Sequence, residues 1–350
     1  MSKKISLKFP FMWLTQLSKL NPKPWDYFRV EGVMLNAYDI LTKPYIDKKI
    51  REKKVHNYLG FDGYVTIDSG GFLFMKHNKV PVSPEQLVEL YEKWKPNFAV
   101  SLDHPIFPSL PENIIKKRQI WSLNNIKTMV ELKKSDNPVF IPVIHGYSRK
   151  SLEWYIKELE RIGEFDIYGL GSLVPLVKGI KGVNGRFYKA IDLIKLVKEL
   201  VPDRKIHVFG IGGSLTMHLM FLLGVNSIDS SSWRFKAAYG AIQLPGKGDR
   251  YITGKAQPKY RDLSEEDLAE LRKCECPACT SHGVEGLRSS FKLRAIHNAW
   301  VYQKEVEIAR QKIEEGTYQE YVWNLVKDNP VYRKLFKYIT DKTSTLERWL

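Results

Sequence analysis

The strongest constraint on the fold is an alternation along the chain. Short apolar runs rich in β-formers take turns with longer stretches of helical period. The expected strands are VMLNAYDI (33–40), YVTID (64–68), NFAVSLD (97–103), VFIPVIH (139–145), FDIYGLG (165–171), KIHVFGI (205–211) and NSID (226–229). Helical patterns fill 83–94, 112–134, 148–163, 187–200 and 214–224, with Ser83 and Ser148 as N-caps and Gly163 and Gly224 as stops. Apolar strands separated by helices pair in parallel with both faces covered, which makes this an α/β protein. Seven or eight such units favour a closed (β/α)8 TIM barrel over an open doubly wound sheet. The rhythm fades near residue 245. Residues 1–245 are read as the barrel domain. Residues 246–350 are read as a basic loop, a cysteine cluster and helices near 287–314 and 317–327, together a small metal-stapled appendage.

Asp68, Asp103, His145, Gly171, Gly210 and Asp229 stand at or just beyond the C-terminal ends of expected strands. In a parallel barrel those ends share the face on which active sites are built. One aspartate there needs no explanation, because strand ends are solvated. Three, each near Gly, Ser or Pro, point to a shared pocket. In DSGGF (68–72) the two glycines let backbone N–H groups approach a flat ligand. A buried Asp103, in SLDHP, would accept from the ring N–H and the exocyclic amine of a guanine-like edge. GLGSLVP (169–175) and FGIGGS (209–214) are glycine-bearing strand exits, and neither is the G-x-G-x-x-G of a dinucleotide site. VNSIDSSSW (225–233) leaves Asp229 among hydroxyls that can hold a carboxylate without neutralising it.

Composition narrows the class. The chain has 350 residues, 43% apolar and 12% aromatic, enough for a large core. No apolar run approaches the roughly 18–20 residues of a membrane span, and FPFMWL (9–14) is too short. A soluble, cytoplasmic protein with no targeting segment and no membrane partner is expected. Lys and Arg outnumber Asp and Glu by 55 to 39, a net charge of +16. They gather at 48–54, 114–119, 178–189 and 246–261, with Tyr and Phe interleaved in the last two. Solubility alone accounts for some of this. The pattern also suits a polyanionic partner, though charge does not distinguish RNA, DNA and a membrane surface. All three cysteines fall in CECPAC (274–279), a C-x-C-x-x-C that suggests a metal short of one ligand rather than a disulfide framework.

Taken in order, DSGGF, the strand-end Asp103, GSLVP, VFGIGG followed by LLGVNSIDSSSW, and C-x-C-x-x-C with a later histidine resemble the tRNA-guanine transglycosylase family over about residues 60–300. The resemblance implies a TIM barrel with a structural Zn2+ that exchanges guanine in a polynucleotide for a free 7-deazaguanine base. Asp229 corresponds to the family nucleophile, whose attack on C1′ holds the sugar as a covalent ester. Asp68 corresponds to the acid/base, Asp103 to the base-reading aspartate, and Gly171 to the glycine whose N–H meets the base carbonyl. Ser69, Gly70, Ser172 and Leu173 complete the substrate-binding set. Cys274, Cys276, Cys279 and His297 are the implied zinc ligands, with His282 the alternative fourth. Family members often dimerise near the zinc region.

The departures from the family pattern steer the choice of substrate. Leu73 stands where a Gln is usual, and His145-Gly146 where Gln-Gly is usual, so His145 is expected to take over part of the base recognition. The GSLVP loop is closer to archaeal members, which take the 7-cyano base. The serine run ending in Trp233, without the archaeal RNA-binding domain, resembles the divergent branch that inserts 7-deazaguanines into DNA. DNA is therefore the expected polymer, tRNA the alternative, and Trp233 the candidate for stacking on a flipped base. A non-catalytic nucleic-acid-binding barrel is the rival of another class, but three acids in its cleft would weaken a pure polyanion binder.

Overall fold

Nine strand segments form one sheet: β1 Phe11–Thr15, β2 Gly32–Asn36, β3 Tyr64–Asp68, β4 Phe98–Val100, β5 Val139–Ile141, β6 Val143–Ile144, β7 Ile167–Leu170, β8 Lys205–Val208 and β9 Ser227–Ser230. This is a computed structural model that describes residues 7–16, 20–42, 53–71, 80–177, 185–254 and 261–341. The order is β5-β4-β3-β2-β1-β9-β8-β7-β6, and every pairing is parallel. β5 and β6 are halves of one strand. Pro142 between them has no N–H and interrupts the ladder, while its carbonyl still accepts from Gly169 at 2.8 Å. One half pairs with β4 and the other with β7, so the sheet closes on itself as the expected TIM-like barrel.

The strand that closes the circle is one the alternation did not mark. Most of FPFMWL (9–14), set aside in the sequence as too short to span a membrane, lies in β1, which pairs with both β2 and β9. Its unbroken apolar run is what a strand covered on both faces looks like. Among the described residues, no helix is long and apolar enough to cross a membrane. The expected strand at 33–40 is cut short at Asn36. There the Asn side chain accepts the Asp39 N–H at 3.2 Å and turns the chain into a helix.

Helices α1 Ala37–Thr42, α2 Val55–Leu59, α3 Pro84–Trp94, α4 Glu112–Leu132, α5 Arg149–Ile162, α6 Val174–Val177, α7 Gly185–Leu200, α8 Thr216–Leu222 and α9 Ser232–Ala238 follow the strands. Ser83 caps α3 in a full capping box with Gln86, and Ser148 caps α5. Alternate strand residues face opposite ways. Phe11, Trp13, Met34, Phe98, Val100, Ile141, Val143 and Ile167 fill the barrel, whereas Met12, Leu14, Val33 and Leu35 pack outward under the helices. The inward parity carried to the C-terminal strand ends yields Thr15, Asn36, Asp68, His145, Gly171 and Asp229. That polar layer caps an apolar barrel.

A second sheet, β10 Ala241–Leu244, β11 Gly248–Tyr251 and β12 Arg261–Asp262, begins ahead of the expected division at 245. It shares a small core with α10 Glu265–Arg272, α11 Pro277–Ser289 and the first turns of α12 Phe291–Glu314. The last helices, α13 Tyr318–Val326 and α14 Pro330–Thr340, return to the barrel: Val322 and Leu335 belong to its main core, and Tyr338 donates to Asp192 on α7.

Near its C-terminus α12 is pinned to the opposite end of the barrel. The Arg310 guanidinium holds both Glu31 carboxylate oxygens at 2.7 Å and donates to the Pro10 and Lys8 carbonyls at 2.9 and 2.8 Å. Arg310→Ala is expected to lower the unfolding free energy by roughly 1.5–3 kcal/mol, the range for hydrogen bonds to charged groups. Arg310→Lys should recover only part of that, lacking the planar fork. Denaturant midpoints at unchanged slope are the measurement.

Candidate active site

Asp68 ends β3, Asp103 lies beyond β4, His145 follows β6 and Asp229 is the third residue of β9, all at one end of the barrel. Asp229 is buried, with Oδ1 accepting the Gly210 N–H at 2.7 Å and Oδ2 the Thr15 hydroxyl at 3.1 Å. These two donors replace the cradle expected from the serine run. Ser230 follows Asp229 on the strand and so faces the other way. Its hydroxyl reaches Tyr302 at 3.4 Å and accepts the Ser232 N–H.

Asp103 is fixed from two sides. Ser69 donates to Oδ1 at 3.1 Å, and His145 Nε2 stands 3.0 Å from Oδ2 without the alignment of a hydrogen bond. His145 Nδ1 meets Ser172 Oγ at 2.9 Å, and the same oxygen accepts the Ile106 N–H at 2.9 Å. Ser172 holds a left-handed backbone, φ 64°, a conformation that non-glycine residues adopt at a cost and that clusters at functional sites. A Cβ on Gly71 would run into the Asp103 carboxylate, so only glycine lets the loop after β3 come this close. Phe72 and Leu73 lie outside the described residues.

Asp68 differs from its neighbours. Its Oδ2 accepts from the Gly70 N–H at 3.1 Å and lies 3.5 Å from the Asn36 amide. It is half-buried at the end of its strand. Burial, then the negative charges of Asp103 and Asp229, push its pKa up to about 8 against the pull of the Gly70 and Ser69 N–H groups. At neutral pH Asp68 therefore holds its proton.

Three sequence expectations take a different form. The Gly171 N–H donates to the Ile144 carbonyl at 3.1 Å in the barrel ladder, so it has no hydrogen left for a base carbonyl. Leu173 is buried to 1% exposure, so its side chain offers no surface to a ligand. Trp233 is wholly buried, its indole N–H donating to the Thr15 carbonyl at 3.2 Å. It is a core residue with no face on which a base could stack. Thr15, Asn36 and His207, a buried histidine whose Nε2 stands 3.6 Å from Asp229 Oδ1, were missed. The signal that finds them is the inward parity of their strands. A cavity of about 710 Å³, bounded by Phe11, Trp25, Phe61 and Tyr64, opens at the opposite, N-terminal end of the strands and contains none of these groups.

A candidate metal site is built by the turn leading into α11, by α11 itself and by α12. Cys274, Cys276, Cys279 and His297 bring one ligand atom each to within 4.8 Å of one another. His297 Nδ1 lies 3.7, 3.3 and 3.4 Å from the three sulfurs, close to the roughly 3.5 Å edge of a tetrahedron with ordinary Zn–S and Zn–N bonds. His297 Nε2 faces the Gln243 carbonyl at 2.8 Å. A carbonyl can only accept, so the ring proton sits on Nε2 and the Nδ1 lone pair is turned to the thiols. The Cys279 N–H donates to Cys276 Sγ. The donor set fits a zinc ion, which would act as a structural staple. His282, on the exposed side of α11, is not part of the cluster.

The profile of the family described as Queuine tRNA-ribosyltransferase matches residues 7–330, and the chain belongs to that family. The tRNA-guanine(15) transglycosylase of Pyrococcus abyssi is 28% identical over 340 residues, covering 94% of this chain and 54% of the relative. That of Methanopyrus kandleri is 27% identical, covering 94% and 68%. That of Methanococcus aeolicus is 29% identical, covering 87% and 46%. The chain thus spans about half the length of most of these relatives.

Two outcomes follow. The folded state holds the Asp68 proton more tightly than the unfolded chain, so ionising it lowers stability as pH rises from about 4 to about 8. Asp68→Asn should therefore raise the melting temperature at pH 8–9, with the gain fading toward about pH 4 in a pH series of melts. Metal analysis should find a single zinc per chain. Cys276→Ser should lose it and melt well below the native protein, because a structural zinc contributes directly to folding free energy.

Proposed function

We propose that this chain is a transglycosylase that exchanges guanine in a nucleic acid for a 7-deazaguanine base, with the 7-cyano base favoured. The observation that carries this is the convergence of three carboxyl groups, each with different partners, at one barrel mouth. Asp229, oriented by Thr15 and Gly210, attacks C1′ of the target nucleoside, forming an ester as the bond to the base N9 breaks. Asp68, protonated at neutral pH, gives its proton to the departing guanine and recovers one from the incoming base, whose N9 then displaces Asp229. Asp103 and His145 face the Watson–Crick side of the base, and the residues after Gly171, Ser172 and Leu173, supply backbone donors to its carbonyl. Family membership supports the same chemistry. A zinc ion held by Cys274, Cys276, Cys279 and His297 would stay outside the reaction as a structural ion.

The rim of the mouth suits a polyanion read within the cell. Lys116 and Lys117, at the start of α4, lie over the Trp154 and Trp121 rings, and His104 packs on Trp121 at 4.9 Å between centroids. Such cation–aromatic surfaces accept both phosphates and bases. The basic stretches at 48–52, 178–184 and 255–260 lie outside the described residues. DNA is the polymer proposed here, on the likeness of the serine-rich segment after Asp229 to the DNA-modifying branch. The names of the relatives favour tRNA, and support for that second reading is at least as strong.

The test offers equal amounts of DNA and tRNA with labelled 7-cyano-7-deazaguanine. Label is expected in DNA; label confined to tRNA replaces the polymer and keeps the chemistry. Asp229→Asn should abolish incorporation and any covalent protein–polynucleotide band on denaturing gels, with folding intact. Near-normal exchange by that variant overturns the proposal.

A further inference from the structure

Beneath the polar layer, β8 places His207 inside the barrel with no exposed surface. Its Nδ1 meets Ser227 Oγ at 2.9 Å, and Phe209 packs edge-on against the ring at 4.4 Å. Its Nε2 lies 3.6 Å from Asp229 Oδ1 and has no hydrogen-bond partner. A buried ring nitrogen without a partner is costly, and the surrounding positions are filled by apolar side chains such as Trp13 that carry no such cost. The tautomer follows from the neighbours. A lone pair on Nε2 would face the Asp229 carboxylate and be repelled, so the Ser227 hydroxyl donates to Nδ1 and Nε2 bears the proton. The site repeats this construction: His145, with Nδ1 on Ser172 and Nε2 toward Asp103, is built the same way.

We infer that His207 is a positioning residue for the second half of the exchange, holding an N–H ready for Asp229 as it becomes a leaving group. This rests on the transglycosylase reading above. In the first step an Asp229 oxygen bonds to C1′ and the carboxylate charge is lost; in the second, N9 of the incoming base bonds to C1′ and the ester C–O bond breaks. The electron pair of that bond returns to Asp229, where charge builds up facing the Nε2–H. His207 gains and loses no proton. A donor aimed at that charge stabilises the transition state relative to the ester, and the free carboxylate still more, so it lowers the barrier to breaking the ester and not the barrier to forming it.

The experiment traps the ester by incubating the protein with guanine-containing DNA or tRNA and no free base. Labelled guanine is then added, and decay of the covalent band is followed on denaturing gels. His207→Phe keeps a ring and removes the donor. It should form the band and release it on the order of tenfold more slowly, below the hundredfold typical of a donor in direct contact. His207→Gln, which restores an N–H, should recover most of the release rate. Ser227→Ala, which frees the tautomer without removing the ring, should slow release less than His207→Phe and stands as the test should the Phe variant not fold. Release at the native rate in His207→Phe and Ser227→Ala, or no band at all from folded His207→Phe, overturns the inference alone. No band from the native protein on either polymer overturns the transglycosylase reading and this inference together.

Discussion

Three carboxyl groups share one barrel mouth, and their mutual repulsion is the constraint around which the site is arranged. Close like charges in a low-dielectric cleft cannot all be ionised cheaply. Each acid meets the constraint differently. Asp229 takes a backbone N–H and a hydroxyl, Asp103 takes a serine and faces a histidine, and Asp68 keeps its proton. On the chemistry proposed above, the same arrangement that would strain three anions sorts them into a carboxylate to attack, a carboxylate to read an edge and an acid to give a proton. No residue far from the mouth is needed to explain that split.

The barrel makes the arrangement possible because its parity is strict. A closed parallel sheet puts every second residue of every strand into one interior, so a polar layer can be assembled from positions more than two hundred residues apart. Thr15 and Asp229 touch because β1 and β9 are neighbours, with Trp13 in register with Asp229. Pro142 breaks one strand without opening the barrel, and the break falls just before Val143 and His145, where the chain turns toward the site.

Much of this was legible in the sequence, and what was not has physical causes. The strand ends carrying Asp68, Asp103 and Asp229 stood out because an acid at the close of an apolar run is improbable without a reason. The Cys3His set was expected, and the structure brings its four ligand atoms together. β1 was hidden because an apolar run buried on both faces has no alternation, and its bulky Phe, Met and Trp are shared by segments of many kinds. With β1 unread, Thr15 could not be placed, and the neighbouring serines were credited with holding the nucleophile. Trp233 misled for a related reason: proximity in sequence to Asp229 says nothing about the side of the strand on which the next helix packs.

The metal subdomain is more than an attachment, as the hydrogen bonds between the two cores show. His297, a ligand, faces the Gln243 carbonyl; the Gln243 side chain donates to the Tyr302 hydroxyl at 3.2 Å; Tyr302 donates to the Gly212 carbonyl at 2.6 Å. Gly212 lies against the Asp229 backbone so closely that a Cβ there would collide with the Asp229 carbonyl. The Ser230 hydroxyl closes the circuit on Tyr302. Whatever fixes α12 therefore also fixes the two loops that set the height of Asp229 in the mouth. A zinc ion at the Cys3His cluster would thus bear on Asp229 through position alone.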